Sequence, residues 1–187
     1  MDIRGEPRVP YVESREELPE SQREYYDRIT ASRDEIIGPF GVLLHSPVLA
    51  GRVADLGTYL RFESALPEGL RELAIVVSGR EFDAAFEWAV HAPLAREAGV
   101  TEAALDAVLD DTPVDALPAA EGLVIRYGRE LWRDHAVSDE TYQAAENAFG
   151  VQGVVDLTAL LGYYGLVACV LNAFQVLPAA ETPLSVY

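Results

Sequence analysis

Lysine is missing altogether: all 14 basic residues in this 187-residue chain are arginines. Schiff-base chemistry, pyridoxal phosphate attachment and the lysine of a phosphate-binding loop are therefore excluded. Cysteine occurs once, at Cys169. That excludes an internal disulfide, a CxxC redox pair and a multi-thiolate metal site. The three histidines, His45, His91 and His135, are scattered, with no second ligand at matching spacing, so no metal site and no cofactor are expected. Positive charge is scarce as well. Thirty-one acidic side chains against 14 basic ones give a net charge of −17, and such a field repels phosphate. Nucleic acid and anionic membrane are accordingly not expected as partners. The opening residues, Met1-Asp2-Ile3-Arg4-Gly5-Glu6-Pro7, carry mixed charge and no apolar run, unlike a signal peptide. The expectation is a cytoplasmic protein whose chemistry comes from carboxylates, histidines and hydroxyls.

Half of the residues are hydrophobic and 24% are charged, a globular composition at single-domain length. Alternating segments are nearly absent, and the periodicity is helical. The pattern predicts an all-α fold, a single compact domain of about seven helices over residues 19–187, preceded by an arm over 1–18. Helices are expected over 19–36, over 47–65 behind a Ser46 cap and Pro47, and from Pro67 to about Gly79. Others follow over 81–98 with Gly99 behind it, and over 102–109 behind Thr101. Acids and two prolines make 110–118 a loop, after which helices run over 119–135, 139–149 behind Ser138, and 151–176. The stretch 157–180 has no charged residue and is long enough to span a bilayer. It also contains Gly162, Gly165, Asn172, Gln175 and Pro178, and no flanking arginines, so it reads as a helix buried within the protein. So many apolar faces on an acidic chain predict a homo-oligomer.

Candidate chemistry lies in the segment 81–98, which is apolar around most of its circumference. Glu87 and His91, four residues apart, share one face, with Asp83 one turn earlier. One reading makes Asp83, Glu87 and His91 a solvent-facing ridge; the other makes Glu87 and His91 a buried acid–base pair. Pro93 frees the carbonyl of Ala89 beside His91. Glu72, set among Leu70, Leu73 and the Ile75-Val76-Val77 run, must reach either solvent or a buried partner.

The runs Arg71-Glu72-Leu73-Ala74-Ile75-Val76 and Phe86-Glu87-Trp88-Ala89-Val90-His91-Ala92-Pro93-Leu94-Ala95-Arg96-Glu97-Ala98-Gly99-Val100 resemble the carboxymuconolactone decarboxylase family. The family is related to alkyl hydroperoxidase D, and its pattern is R-E-L followed by E-[WF]-x-x-H. Residues 162–174 resemble its carboxy-terminal helix. The resemblance implies an alkyl hydroperoxidase D-like fold assembled as trimers or hexamers, with a site between helices. In the peroxidase branch a CxxC pair precedes the histidine; the corresponding positions here are Ala84 and Glu87, so thiol peroxidase chemistry is not expected. Glu72, Glu87 and His91 resemble the decarboxylase branch. They are the expected catalytic residues, with His91 as general acid/base, Glu87 as its proton-sharing partner and Glu72 as a second carboxylate. The expected substrate is a small lactone or unsaturated carboxylate or carbonyl compound, bound by Arg71, Arg80, His45 and Tyr163. The alternatives are a peroxidase-like homologue without redox cysteines and a non-catalytic oligomeric binding protein.

Overall fold

The computed structural model describes residues 3–33 and 35–184. Its hub is a helix whose residues 72–79 are all buried; a segment apolar on every side is stable only with neighbours all round. In chain order the helices are α1 (Arg23–Thr30), α2 (Phe40–Leu43), α3 (Pro47–Thr58), α4 (Glu68–Glu81), α5 (Ala85–Glu97), α6 (Glu102–Asp110), α7 (Ala119–Arg133) and α8 (Asp139–Phe174). The hub α4 packs against α5, α7 and α8, while α3 packs on α1. Leu73, Ala74, Ile75 and Val76 of α4 meet Val124 and Ile125 of α7 and Leu157, Leu160 and Leu161 of α8 in one continuous core. The fold is all-α, as expected, with eight α-helices among the described residues. Among the described residues the only strand pairing joins Ile3–Arg4 to Leu177–Pro178.

Local chemistry fixes the ends. The Thr101 hydroxyl accepts from the Ala104 amide and the Ser138 hydroxyl from the Thr141 amide, the expected amino-terminal caps. Gly99 adopts φ +89° behind α5, as its place after a helix end requires. Three expected boundaries are corrected. The first helix is only Arg23–Thr30, preceded by a 3-10 turn at Glu20–Gln22. The hub continues past Gly79 to Glu81. The next helix starts at Ala85, not 81, because Asp83 takes the left-handed conformation (φ +47°) and forms a tight turn between α4 and α5. Asn172 of α8 donates to the Phe82 carbonyl at 2.7 Å and pins that turn.

Two further features position the site. After Thr58, α3 widens into a π-helical turn, Tyr59–Glu63. The following turn is held by the buried Asp156 of α8, which accepts from the Ala65 amide at 3.0 Å and the Tyr59 hydroxyl at 3.2 Å. In α8, Gly150 breaks the helical geometry (φ +69°, ψ +170°) where two helices had been expected to meet. The apolar part of α8 is long enough to cross a membrane, but 61% of its most apolar window is buried inside the fold. Residues of the 1–18 segment lie across the domain: the Val12 amide donates to the Gly41 carbonyl, and the Tyr11 hydroxyl donates to the Gly38 carbonyl.

Candidate active site

Glu72, Glu87 and His91 form one buried cluster, and the ridge reading is overturned. The three are 8%, 3% and 4% exposed, and Asp83 lies outside the helix that carries the other two. His91 Nδ1 stands 2.6 Å from Glu72 Oε2. A carboxylate at that distance requires Nδ1 to carry a proton and act as donor. His91 Nε2 faces Glu87 Oε2 at 3.3 Å. That oxygen is buried and makes no aligned hydrogen bond among the described residues. Tyr164 closes over the imidazole edge-to-face, at 5.2 Å between ring centroids.

Helix geometry explains the juxtaposition. The four-residue spacing stacks Glu87 and His91 on one face of α5. Gly79 of α4 lets that face come close, since a Cβ there would stand 3.2 Å from the Glu87 Cβ. Burial by itself lowers the pKa of an imidazole, and it is the largest single influence on His91. The hydrogen bonds and charges of Glu72 and Glu87 together outweigh it, so His91 titrates above the ordinary histidine value. His91 thus sits between two glutamates that favour its protonated form.

Glu87 and His91 open onto a cavity of about 180 Å³. Its lining combines the apolar side chains of Phe40, Phe86, Val90, Leu94 and Val167 with Arg33, Arg61, Tyr163 and Tyr164. Glu72 does not line the cavity and sits behind the imidazole. Tyr163, named above as a candidate binding residue, lines the cavity. Its phenol, pushed up to about 12 by burial and partly offset by the Arg33 charge, stays protonated at neutral pH. Gly57 of α3 makes the room, because a Cβ there would run into the Tyr163 hydroxyl and stand 2.8 Å from Arg33 Nη2.

Arg71, Arg80 and His45 do not line the cavity, which corrects the expectation that they bind substrate. Arg71 donates to the Leu66 carbonyl, Arg80 to the Leu109 carbonyl and Asp83, and His45 Nε2 lies 2.7 Å from the Pro10 carbonyl. Each fastens a turn or the amino-terminal segment. Cys169 is exposed and does not line the cavity either. The arginines that do face the cavity were missed by sequence reasoning. Arg33 follows α1 and Arg61 sits in the π-helical turn, and no motif or spacing connects them to His91. Among the described residues no group of three His, Cys, Asp or Glu side chains is arranged to hold a metal ion.

Residues 47–125, which carry Arg61, Glu72, Glu87 and His91, match the model of the carboxymuconolactone decarboxylase family. Over those residues the chain is similar to the carboxymuconolactone decarboxylase family, and its fold is that of an alkylhydroperoxidase AhpD core. Two solved structures share the fold over nearly the whole length of the chain. One is an uncharacterized peroxidase-related protein with an alkylhydroperoxidase AhpD core from Ralstonia eutropha JMP134, with TM-score 0.73, 18% identity and 95% of each chain covered. The other is a cysteine-to-alanine variant of the debrominase Bmp8 in complex with 2,3,4-tribromopyrrole, with TM-score 0.71, 13% identity, and 91% of this chain and 92% of that one covered. No curated protein matches the sequence. Arg33, Tyr163 and Tyr164 of the cavity fall outside the matched segment.

Proposed function

We propose that the cavity is the active site of a cofactor-independent enzyme that moves a proton to or from a carbon conjugated with a carbonyl group. The carrying observation is the Glu72–His91–Glu87 arrangement, in which one imidazole is held between two buried glutamates and the outer pair opens onto the cavity. Two related reactions fit. Decarboxylation of a lactone leaves an electron pair that spreads into the carbonyl as a dienolate, and the enzyme then protonates carbon. Isomerisation removes a proton from one carbon and returns it to another.

In both, His91 Nε2 and Glu87 share the transferred proton, and their separation leaves room for a reacting carbon beside them. Glu72 fixes the imidazole orientation from Nδ1 and keeps the ring charged, so it acts as a positioning residue. The protonated Tyr163 phenol supplies a donor for the oxygen on which negative charge develops. A thiol route is unsupported, because the single cysteine lies off the cavity. We also read the exposed outer stripe of α8, formed by Val151, Val155, Ala159, Gly162, Leu166 and Cys169, as a contact face for a second copy. It bears no charge, so it is a face on which two strongly acidic chains can meet without opposing carboxylates.

The test is incubation of a small-molecule carboxylate and lactone mixture in deuterium oxide with wild type, His91→Ala and Glu87→Gln, followed by mass spectrometry. Wild type is expected to consume at least one compound and to place one deuterium on carbon in the product. Both variants are expected to be slower by about 10²–10⁴-fold, the usual contribution of a positioned acid or base. A turnover that survives in His91→Ala would refute the reading.

A further inference from the structure

The cavity contains more positive charge than its own carboxylates neutralise. Two guanidinium groups, Arg33 and Arg61, line it together with the single carboxylate of Glu87, so a protein of net charge −17 encloses a pocket with more cationic than anionic side chains. The surplus is located. The Arg61 Nε is buried and has no hydrogen-bond partner among the described residues. A buried donor left unpaired is costly, and a guanidinium is built to take a carboxylate through two parallel hydrogen bonds. The Arg61 Cζ also lies over the Phe62 ring, 5.0 Å from its centroid, a cation–π contact. Arg33, stacked on Phe40 at 4.6 Å and donating to Ser32 Oγ and the Ala54 carbonyl, has most of its donors engaged. It supplies charge and support, and Arg61 supplies the free donor.

Resting on the reading of this cavity as the active site, we infer that Arg61 is a carboxylate-anchoring residue and that the substrate is a small organic monoanion. Its apolar body lies against Phe40, Phe86, Val90 and Val167, and its reactive carbon lies toward Glu87 and His91. The size is limited too. An apolar cavity of about 150 Å³ accepts benzene, so the 180 Å³ space here suits one ring or an open chain of similar bulk. The five-residue π-helical turn that carries Arg61 is an energetically poor conformation often found at functional positions. It is retained here at the residue aimed into the pocket.

The experiment is calorimetric titration of the full chain with benzoate, benzamide and benzylammonium, which share a ring and differ in charge. Wild type is expected to bind benzoate about tenfold or more tightly than benzamide, as a charge-assisted bidentate pair implies, and to reject benzylammonium. Arg61→Met should erase the preference for benzoate while leaving benzamide affinity unchanged. Arg61→Lys, which keeps the charge without the planar fork, should retain only part of it and guards against a folding defect in the first variant. Equal binding of benzoate and benzamide by wild type, absence of benzoate binding, or a preference that survives Arg61→Met each overturns the inference. Wild type, measured for both binding and carbon-bound proton exchange, separates the two proposals. Charge-selective binding in a protein that exchanges no carbon-bound proton would keep the anchor and refute the proposed reaction, whereas proton exchange without charge selectivity would do the reverse.

Discussion

Glu72 and His91 are 19 residues apart in sequence, yet Glu72 Oε2 and His91 Nδ1 stand 2.6 Å apart in the buried seam between α4 and α5. The contact ties the two helices together through a charged pair where both are otherwise apolar. Breaking such a pair from one side leaves an uncompensated buried charge, which is costly. Glu72→Leu and His91→Leu should therefore each destabilise the fold by about 3–5 kcal/mol, and the double replacement should recover part of that loss. Thermal denaturation of the three variants checks this.

The sign of the pH dependence follows from the raised His91 pKa. A group that binds its proton more tightly when folded contributes stability that is fully present below the unfolded histidine pKa, about 6.5. That contribution is lost as pH rises through the folded pKa. Wild type should therefore lose stability as pH rises above the unfolded histidine value, in a step that His91→Leu does not show. The His91 ring resonances, followed by NMR, should titrate above the model value in wild type and move down in both Glu72→Gln and Glu87→Gln. If neither substitution lowers the value, the three residues do not form one electrostatic cluster.

Gly57→Ala tests how the binding wall is built. A methyl group at this helical position meets the Tyr163 hydroxyl and Arg33, although alanine favours helix in general. The expected result is a loss of about 1–3 kcal/mol from overpacking, seen as a Tm lower by roughly 2–4 °C for each kcal/mol. A more stable variant would mean that Tyr163 and Arg33 move aside freely and are not held against the cavity.

Asp156→Ala removes a carboxylate that holds the turn after Arg61 from across the fold, and it leaves the Ala65 amide and the Tyr59 hydroxyl unpaired. A cost of about 1–3 kcal/mol is expected, together with weakened benzoate binding as the π-helical turn loosens. Denaturation and calorimetry on the same sample read both effects. Unchanged anion binding would show that this anchor does not position Arg61.

The outer stripe of α8 has Val151 and Val155 at 59% and 60% exposure and Leu166 at 42%. Light scattering of wild type at micromolar concentration should show an oligomer, and Val155→Glu combined with Leu166→Glu should dissociate it without altering the helical circular dichroism spectrum. A monomeric wild type would refute the proposed contact face.

The all-α fold, the caps at Thr101 and Ser138, and the stacking of Glu87 above His91 were determined by the sequence itself. Each depends on residues within one or two helical turns, where the 3.6-residue period and capping chemistry act directly. The R-E-L and E-W-x-x-H runs identified the three ionisable residues for the same local reason. Whether Glu87 and His91 formed a solvent ridge or a buried cluster was a different matter, because α5 is apolar nearly all round and its period names no single inner face. The departure of Asp83 from the helix and the closure of α4 onto that face settled it. The cationic wall was beyond local rules altogether. Arg33 and Arg61 look like any of the 14 arginines in a chain with many acids to pair with, whereas Arg71 and Arg80, nearest to Glu72, turned to the carbonyls of neighbouring loops. Only the packing of α1, the π-helical turn and α8 around one small cavity decides which guanidinium is left facing it with a donor unpaired, because that depends on distances between segments far apart in the chain.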